Sequence, residues 1–515
     1  MNKFFISLTV LIILIIGSIY GVLFTKTGNS YVATYIENKV NSEQKDVQLK
    51  VNEFTLTFNS INFDATISDN SHINISGDLQ LFKQYVDLKY DIKIIELSKL
   101  ENLINRKLNG SFSTSGIIKG DSRASVIKGI SDIANSQTSY DITLQNFELN
   151  TIDFLIKNAR INKLLHLANQ PVYASGLLTL DGKITNTKMQ TLDGVIKTTV
   201  REGKTITSII NSTFKQNLTK DINFQVDATT SLVPNQAITK SKIKTTLANL
   251  HIKKAVFTLN NQALESDYLL FIPSLKNLYD ITSTKMRGAI TINGNIKSKN
   301  NSLFVDGNSK LLGGTLNFDL KNDDLHADLK EIQIKELTHL MYYPDVFDSK
   351  TALTLNYNLI QQKGKLTGNL LKGHFLANDF SSTLNQLARF DITREVYDTV
   401  NINTDINKKI LSSTVTMKSK NTKIDVTKSI LDLEQNRVDA TINSTIKKAQ
   451  LELNVNGDVN DPKISFNSKK LLSNQINKQI DKNENKLKEK LNKALKGRLG
   501  EDGADNLLKS IKSFF

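Results

Sequence analysis

The chain has 515 residues, of which 39% are hydrophobic and 23% are charged, and it contains no cysteine. This composition is typical of a globular protein and excludes disulfide scaffolds, cysteine nucleophiles and thiolate zinc sites. The formal net charge of +15 favours anionic partners such as phospholipid headgroups or nucleic acid, although a Lys- and Asn-rich solvated surface explains it equally well.

The chain opens with an apolar stretch, Phe4–Phe24, whose 21 residues (24 − 4 + 1) include no charge. That length is enough to span a bilayer. No small-x-small cleavage triplet follows the bulky end of the stretch, so residues 1–27 are predicted to be an uncleaved transmembrane anchor. Ser30 is predicted to cap a juxtamembrane helix within residues 28–46, with the rest of the chain translocated.

Residues 47–467 consist almost entirely of alternating apolar and polar positions separated by Asn, Asp, Gly and Ser turns. Alternation with a period of two is typical of strands that bury one face. The whole chain has only 5 prolines, which suits long, uninterrupted hydrogen-bonded ladders. The body is therefore predicted to be a long, twisted antiparallel sheet with one apolar face.

Arg287–Leu340 is the representative unit of this body. Turns are predicted at Lys297–Asn301 and Asn322–Asp324, a bulge near Lys330, and a short helix over Lys335–Leu340. One parity of its strands is apolar, and these side chains are predicted to line the apolar face: Ile290, Ile292, Ile296, Leu303, Val305, Leu312, Leu316, Phe318 and Leu320.

A Gly-x5-Gly motif recurs across strands, each time after a strand and a short apolar, helix-like segment. The pairs are Gly110/Gly116, Gly176/Gly182 and Gly288/Gly294, and a fourth copy has Ala352 in place of its first glycine. The spacing is uneven, with 66 residues (176 − 110) and then 112 (288 − 176), so the repeat is not a strict solenoid. These glycines are interpreted as bends or crowded strand positions rather than a binding loop.

Residues 468–515 change character, because Leu and Ile recur there at helical spacing among many basic residues. They are predicted to form basic amphipathic helices. Such helices can dock on a membrane surface or a partner protein, or can cap the open end of the sheet.

No local signature of catalysis appears. The 6 histidines are scattered, and HExxH, GxSxG, Walker A and helix-opening GxGxxG patterns are all missing from the sequence. No metal, cofactor or enzymatic activity is therefore expected, although an enzyme acting on envelope polysaccharide stays open, since carboxylate pairs across strands are invisible in sequence. The chain has no tryptophan, and its basic residues lack interleaved aromatics, so no nucleic-acid partner is expected.

A long sheet with one apolar face must cover that face. It can pack as a sandwich, close on itself, or curl into an open groove filled by acyl chains. The groove is favoured here, with the nine residues above as its lining.

The end of the body resembles a known family. Leu451–Asn467 reads as a strand with Gly457 near its end, then the triplet Asn-Asp-Pro with Asp461 and Pro462, and then a last strand. A charged segment predicted to be helical follows. With the anchor, the juxtamembrane helix and the Gly-x5-Gly units, this arrangement resembles the AsmA-like family of Gram-negative envelope proteins, relatives of TamB and YhdP. The uneven repeat and the missing fourth glycine depart from the family pattern.

This resemblance implies a single-pass inner-membrane protein with its bulk in the periplasm and a groove-like β fold. It implies a role in carrying phospholipid toward the outer membrane and so in outer-membrane biogenesis. An outer-membrane or periplasmic protein is a candidate partner at the C-terminus. The alternative is a non-enzymatic assembly or scaffold factor for outer-membrane proteins, whose sheet is filled by its own side chains. A third hypothesis is a strand-built outer-membrane protein, suggested by the terminal Phe515.

Overall fold

The structure is a computed structural model. It describes residues 23–466 except for these short segments: 44–47, 68–69, 102–105, 215–217, 283–284, 343–344, 346, 378–380, 382–389, 436, 448 and 459–460. The anchor expected at Phe4–Phe24, apart from its last two residues, and the helices expected in residues 468–515 lie outside the described residues. Within the described part, no helix is both long and apolar enough to cross a membrane.

The described chain is mainly β and divides into two compact units, Met1–Gln262 and Ala263–Phe515, so the body expected over residues 47–467 is shared between them. Within each unit every strand pairs antiparallel with the next strand along the chain. Among the described residues no pairing joins the first strand of a unit to its last, so neither sheet closes on itself.

The strands of the first unit are β1 (Leu49–Leu56), β2 (Ser60–Ile67), β3 (Ser71–Gln80), β4 (Tyr85–Ile94), β5 (Phe112–Gly120), β6 (Ala124–Ser131), β7 (Gln137–Gln145), β8 (Glu148–Arg160), β9 (Ala174–Asn186), β10 (Asp193–Thr205), β11 (Asn223–Val233), β12 (Gln236–Thr245) and β13 (Asn249–Thr258). Its α-helices are α1 (Lys26–Glu43), α2 (Ile161–Leu167) and α3 (Thr207–Phe214). Single 3₁₀ turns occur at Leu81–Lys83, Leu97–Leu100, Ile133–Asn135 and Met189–Thr191.

The strands of the second unit are β14 (Ala263–Ile272), β15 (Ile290–Lys299), β16 (Ser302–Leu311), β17 (Gly314–Lys321), β18 (Asp324–Gln333), β19 (Phe347–Asn358), β20 (Lys363–Phe375), β21 (Tyr397–Asn407), β22 (Ile410–Ser419), β23 (Thr422–Asp432), β24 (Arg437–Ile446), β25 (Ala449–Asp458) and β26 (Asp461–Phe466). Its α-helices are α4 (Tyr279–Thr282) and α5 (Ile334–Leu340), with 3₁₀ turns at Leu275–Leu278 and Ile392–Arg394.

Asparagine sets the turns between several of these strands. Asn300 and Asn301 adopt φ angles of 50° and 60° between β15 and β16, and Asn322 adopts 54° between β17 and β18. Two-residue hairpin turns need such left-handed conformations, and asparagine tolerates them. Strand β15 consequently runs to Lys299, and the turn predicted over Lys297–Asn301 is confined to its last two residues.

Leu312 was expected to continue a strand, and the structure corrects this. Leu312 and Gly313 have φ angles of 53° and 75° and form the turn between β16 and β17, where Leu311 pairs with Gly314. A two-residue turn changes which parity faces inward, from the odd positions of β16 to the even positions of β17. Because Leu312 has the parity of β17, the apolar pattern alone cannot separate this turn from the strand.

The helix expected within residues 28–46 begins earlier than predicted, and its cap is not Ser30. Helix α1 begins at Lys26, and the Gly28 N–H donates to the Thr25 hydroxyl at 3.2 Å, as an N-cap requires. The Ser30 hydroxyl lies inside the helix and donates to the Lys26 carbonyl at 3.0 Å. The sequence offers two hydroxyl residues near this boundary, and Thr25 is the one that caps the helix.

Helix α1 covers the free edge of β1 with amide side chains. The Asn41 side chain accepts from the Leu49 N–H at 2.6 Å and donates to the Leu49 carbonyl at 2.9 Å. Asn29 does the same with Leu56, at 3.1 Å and 3.2 Å. An uncovered edge strand would expose a row of unpaired backbone groups, so these bonds protect the start of the sheet.

The bulge predicted near Lys330 is confirmed. The pairing of β18 with β19 shifts between Leu329 and Ile332, and Glu331 adopts a φ of 56°. Helix α5 follows directly, as predicted for Lys335–Leu340. Strand β8 carries an equivalent bulge just before helix α2. In both places two more residues pair after the bulge, and the chain then enters a short helix.

Fully buried apolar side chains are concentrated at two places. In the first unit a small cluster lies where α1 meets the first strands: Leu49, Ala65, Ile67, Ile94 and Leu97. In the second unit a larger cluster, the filled core, spans β19 to β25: Phe347, Leu370, Phe375, Ile392, Tyr397, Val400, Met417, Ile424, Val426, Leu431, Val438, Ala440, Ile442, Ile446, Leu451, Leu453 and Val455.

Candidate functional site

Eight of the nine predicted lining residues share one face of the second unit's sheet, and Leu312 in its turn is the exception. Cross-strand pairing joins them in rows. Ile296 of β15 pairs with Val305 of β16, which pairs with Leu320 of β17. Directly paired residues point to the same side of a sheet, so the predicted parity is one continuous surface, called the inner face below.

The inner face of β15–β17 is only half covered. Leu303 is 38% exposed, and the other seven strand residues of the predicted lining are neither buried nor fully exposed. Leu453 on the inner face of β25, in contrast, is 5% exposed and belongs to the filled core. The same alternating pattern therefore gives a covered face in one part of the second unit and an accessible one in another.

The opposite, outer face of the sheets is polar and carries cross-strand ion pairs. Lys297 lies 2.9 Å from Glu265 in the second unit, and Lys128 lies 2.7 Å from Asp141 in the first. Exposed pairs of this kind contribute about 0–1 kcal/mol each. Their value here is to show which face is solvated.

Two aromatic rings lie over a pair of glycines on the inner face of the second unit. Gly294 pairs with Gly307. On the two flanking strands, Tyr268 pairs with Gly294 and Phe318 pairs with Gly307. A Cβ at Gly294 would overlap the Asp306 carbonyl oxygen and stand 2.6 Å from the Tyr268 hydroxyl. That hydroxyl donates to the Asp306 carbonyl at 2.9 Å. We call the four residues of this row, Tyr268, Gly294, Gly307 and Phe318, the second aromatic bridge.

The first unit contains the same arrangement, the first aromatic bridge. Tyr90, Gly116, Gly129 and Tyr140 pair in one row across β4 to β7. The two hydroxyls meet over the glycines with their oxygens 2.6 Å apart. Burial, together with the hydrogen bond to Tyr140, raises the pKa of Tyr90, so its hydroxyl stays neutral. The bridge thus joins four neighbouring strands through two hydrogen-bonded rings.

The two bridges have identical internal spacing, which was not predicted. Tyr268 and Phe318 each lie 178 positions after their counterparts Tyr90 and Tyr140 (268 − 90 and 318 − 140). All the bridge glycines keep this offset, and so do the first glycines of the two Gly-x5-Gly motifs. The constant offset is the sequence signal for this repeat. It is not seen when neighbouring motifs are compared, because the Gly176/Gly182 pair lies between the two copies. The bridges therefore belong to two copies of one sequence repeat.

The copies differ in how the strand that starts each motif is joined to the following helix. Asn109 and Arg287 each donate their backbone N–H to the last carbonyl of a helix, α2 at 3.0 Å and α5 at 2.9 Å. In the first copy the Asn109 amide also donates to the Asn169 side chain at 3.0 Å. In the second copy the Arg287 guanidinium instead lies 3.8 Å from the centre of the Tyr342 ring. One geometry is thus held by two different side-chain interactions.

Metal binding and acid–base catalysis each require polar side chains held in a particular arrangement. No group of three or more His, Asp or Glu side chains among them is arranged to hold a metal ion. His326, the residue with the best-connected imidazole, lies on the outer face, 2.8 Å from Asn356 and 3.4 Å from Asp328. The Asn356 hydrogen bond raises the pKa of His326. The Thr354 hydroxyl donates to Asp328 at 2.7 Å, so these side chains form a hydrogen-bonded row on the outer face.

The residues of the C-terminal motif come together at the last hairpin. Gly457, with a φ of 114°, pairs with Pro462 across β25 and β26, and Asp458 pairs with Asp461 at the turn. The proline sits on the last described strand, where a missing N–H does least harm to the ladder. The described residues of the motif thus lie in the pairing of β25 with β26.

Comparisons of the chain with protein-family models, with characterised proteins and with solved structures find no match.

Proposed function

We propose that this protein carries phospholipid along the inner faces of its sheets, each curled into an open apolar groove. It is anchored in the inner membrane through Phe4–Phe24, has its bulk in the periplasm, and supports outer-membrane biogenesis by moving lipid toward the outer membrane. As proposed it is an AsmA-like lipid carrier that needs no metal, cofactor or catalytic residue.

One observation carries the proposal: the inner face of β15–β17 is apolar but half exposed, whereas the same face of β22–β25 is filled. Ile292 and Leu316 are accessible, while Met417 and Val455 are 2% and 1% exposed. Contiguous apolar surface is normally covered by protein, membrane or ligand. An acyl chain suits a strip made mainly of Ile, Leu, Val and Phe that carries no charged side chain.

The energetics are compatible with transport. Burying about 15 methylenes of an acyl chain at ~0.8 kcal/mol each offsets roughly 12 kcal/mol of the cost of leaving a bilayer. The rows of the inner face present similar side chains at each strand, so neighbouring positions bind a chain with similar free energy. A lipid can then move between positions without meeting a deep trap.

The aromatic bridges fit this function as flat stretches of floor. Rings that lie over glycines replace protruding side chains with ring faces, and Tyr90 and Tyr268 are only 7% and 8% exposed. Neutral hydroxyls bonded to each other or to a backbone carbonyl add no charge to the path. Because Tyr90 and Tyr268 are almost fully covered, they offer an acyl chain little surface of their own and no charged group that would hold it.

The second candidate is a non-enzymatic assembly or scaffold factor for outer-membrane proteins. The filled core of β19–β25 supports it, because there the sheet satisfies its inner face with its own side chains. In this alternative the half-exposed face of β15–β17 would take up a protein segment instead of lipid. The basic segment 468–515 is the candidate contact for an outer-membrane or periplasmic partner.

Photocrosslinking in cells separates the two. A photoactivatable side chain at Ile292 or Leu316 on the inner face should capture phospholipid, and one at the adjacent outer positions Thr291 or Asn317 should not. A third control at Leu453, inside the filled core, should capture no lipid although it has inner parity. Equal lipid capture on both faces, or capture only of protein at Ile292 and Leu316, would overturn the lipid proposal.

A further inference from the structure

Three phenylalanine rings stack at one end of the first unit. The Phe24 and Phe58 rings lie 4.4 Å apart between centroids with planes 21° apart. Phe58 in turn stacks on Phe82 at 6.1 Å and 10°. Phe58 sits in the turn between β1 and β2, and Phe82 in the 3₁₀ turn between β3 and β4. We call Phe24, Phe58 and Phe82 the phenylalanine stack.

The stack is apolar and exposed. Phe82 is 93% exposed, Phe58 is 38% exposed, and the neighbouring Leu81 is 36% exposed. No hydrophobic effect within the unit explains a phenylalanine displayed to this extent on a turn, because its ring stays in water. A stack of exposed rings on two turns is a surface that gains stability only from a partner.

The sequence indicates which partner. Phe24 is the last residue of the 21-residue uncharged stretch Phe4–Phe24, so the stack begins where that stretch joins the body. Aromatic residues are enriched at the membrane–water interface, where rings sit at the level of the headgroups. Lys26 and Lys83 flank the rings along the chain and can reach lipid phosphates.

We propose that the phenylalanine stack is a membrane-interface anchor: the β1–β2 and β3–β4 turns insert Phe58 and Phe82 into the bilayer surface beside the transmembrane anchor. The partner is a lipid surface, and the contact holds the first strands of the sheet at the leaflet. The inference rests on the proposed function, because it takes Phe4–Phe24 to be membrane-embedded.

The chain offers a matched control for this contact. Phe147 is 74% exposed in the turn between β7 and β8, which lies at the same end of the strands as the β3–β4 turn. That turn is four strands further along the sheet, on the order of 19 Å away at ~4.8 Å per strand. Phe147 is thus an exposed phenylalanine on the same sheet that lies outside the stack.

The absence of cysteine allows a single fluorescent label at any position. The full chain would be reconstituted in vesicles of phosphatidylethanolamine and phosphatidylglycerol, with an environment-sensitive dye on Phe82→Cys, Phe147→Cys or Leu14→Cys. Quenchers attached to lipid acyl chains should quench the label at position 82 severalfold more than the label at position 147. A quencher placed near the glycerol backbone should act on position 82 more strongly than one near the chain end.

The outcomes separate the two proposals. If the label at position 14 is quenched while those at positions 82 and 147 stay equally exposed to water, the membrane-interface anchor is overturned and the transmembrane anchor stands. If position 14 is not quenched, the membrane anchoring in the proposed function fails as well. Adding Phe58→Ser to the chain labelled at position 82 should reduce the quenching of that label, since the ring that supports position 82 is lost.

Discussion

The open face of β15–β17 and the filled core of β19–β25 belong to the same unit and have the same alternating pattern, yet only one is covered. Strand β15 carries Ile, Ile, Gly, Ile and Ser inward, and strand β24 carries Val, Ala, Ile, Ser and Ile. Neither set is clearly more apolar than the other. The difference lies in what the rest of the chain places against these strands.

The described part of the connection between β20 and β21 packs against the filled core. This connection supplies Ile392, which is fully buried, on a 3₁₀ turn that packs into the cluster. Around it Phe375 lies 5.1 Å from Phe347 and 5.2 Å from Tyr397, with edge-to-face geometry in both pairs. The hairpin turns of β15–β17 are only two residues long and supply no such insert. The described part of the β20–β21 connection thus adds a buried side chain to the filled core, and the turns within β15–β17 add none.

Truncating one leucine in each region should give the largest difference in the free energy of unfolding between the two regions. Leu453→Ala in the filled core should lower the free energy of unfolding by about 2–5 kcal/mol, because it leaves a cavity. Leu316→Ala on the half-exposed face should cost only about 1 kcal/mol, because that side chain is partly in water already. Urea unfolding of lipid-stripped protein measures both. Similar losses would mean that the inner face of β15–β17 is filled after all.

The next largest effect is a difference in stability between alanine substitutions at the two glycines of one Gly-x5-Gly motif. Gly294→Ala should cost about 3 kcal/mol, because the new methyl group meets the Asp306 carbonyl and the Tyr268 ring under the second aromatic bridge. Gly288 has a φ of 95°, and a methyl group added there would have nothing within 4 Å. Gly288→Ala should therefore cost only about 1 kcal/mol of backbone strain. Unfolding of the two variants side by side tests this.

A double substitution sharpens the result for the bridges. At Gly182 the three atoms nearest to an added methyl group all belong to the ring of Phe154, so Phe154→Leu should recover much of the stability lost in Gly182→Ala. Tyr268→Leu should not rescue Gly294→Ala, because the Asp306 carbonyl remains in place. Rescue in both pairs would show that the rings alone, and not the close approach of the strands, require glycine.

Much of the fold could be predicted from the sequence, and the residues show why. Period-two alternation is a property of the chain alone, so the face shared by Ile292 and Leu316, the bulge near Lys330 and the helix after it were all predictable. The turn at Leu312 and the cap at Thr25 were not, because parity and hydroxyl side chains are ambiguous at those two positions. The constant offset between the copies is itself a signal in the sequence, but it appears only when copies separated by an intervening Gly-x5-Gly pair are aligned.

Which part of the inner face is covered by other side chains could not be predicted from the sequence, for a different reason. Ile392 is separated from its partners in β23–β25 by tens of residues, and nothing in its own neighbourhood marks it as a core residue. The aromatic bridges pose the same problem, since Tyr90 and Tyr140 meet only when three intervening pairings are in register. Long-range contacts of this kind depend on the whole sheet and leave no local pattern.

The smallest predicted effect concerns Glu395, a buried carboxylate at the margin of the filled core. Burial alone would raise its pKa, but hydrogen bonds from the Asn421 side chain at 2.7 Å and the Ser419 hydroxyl at 2.6 Å outweigh it and hold the pKa below the usual 4.5. A carboxyl group with a lowered folded-state pKa stabilises the fold above its unfolded pKa. That contribution is lost as the pH falls through the folded-state value.

Glu395→Gln should therefore cost about 1–2 kcal/mol at neutral pH, because an amide cannot accept all of these hydrogen bonds. The difference between the variant and the native protein should shrink as the pH falls below the usual glutamate pKa and through the lowered folded-state pKa, which unfolding curves at a series of pH values will measure. Glu434→Gln, an exposed carboxylate in the β23–β24 turn, is the control and should show no such trend. A difference that stays constant with pH would assign the loss to altered packing, and would remove ionisation from the account of how the filled core is held.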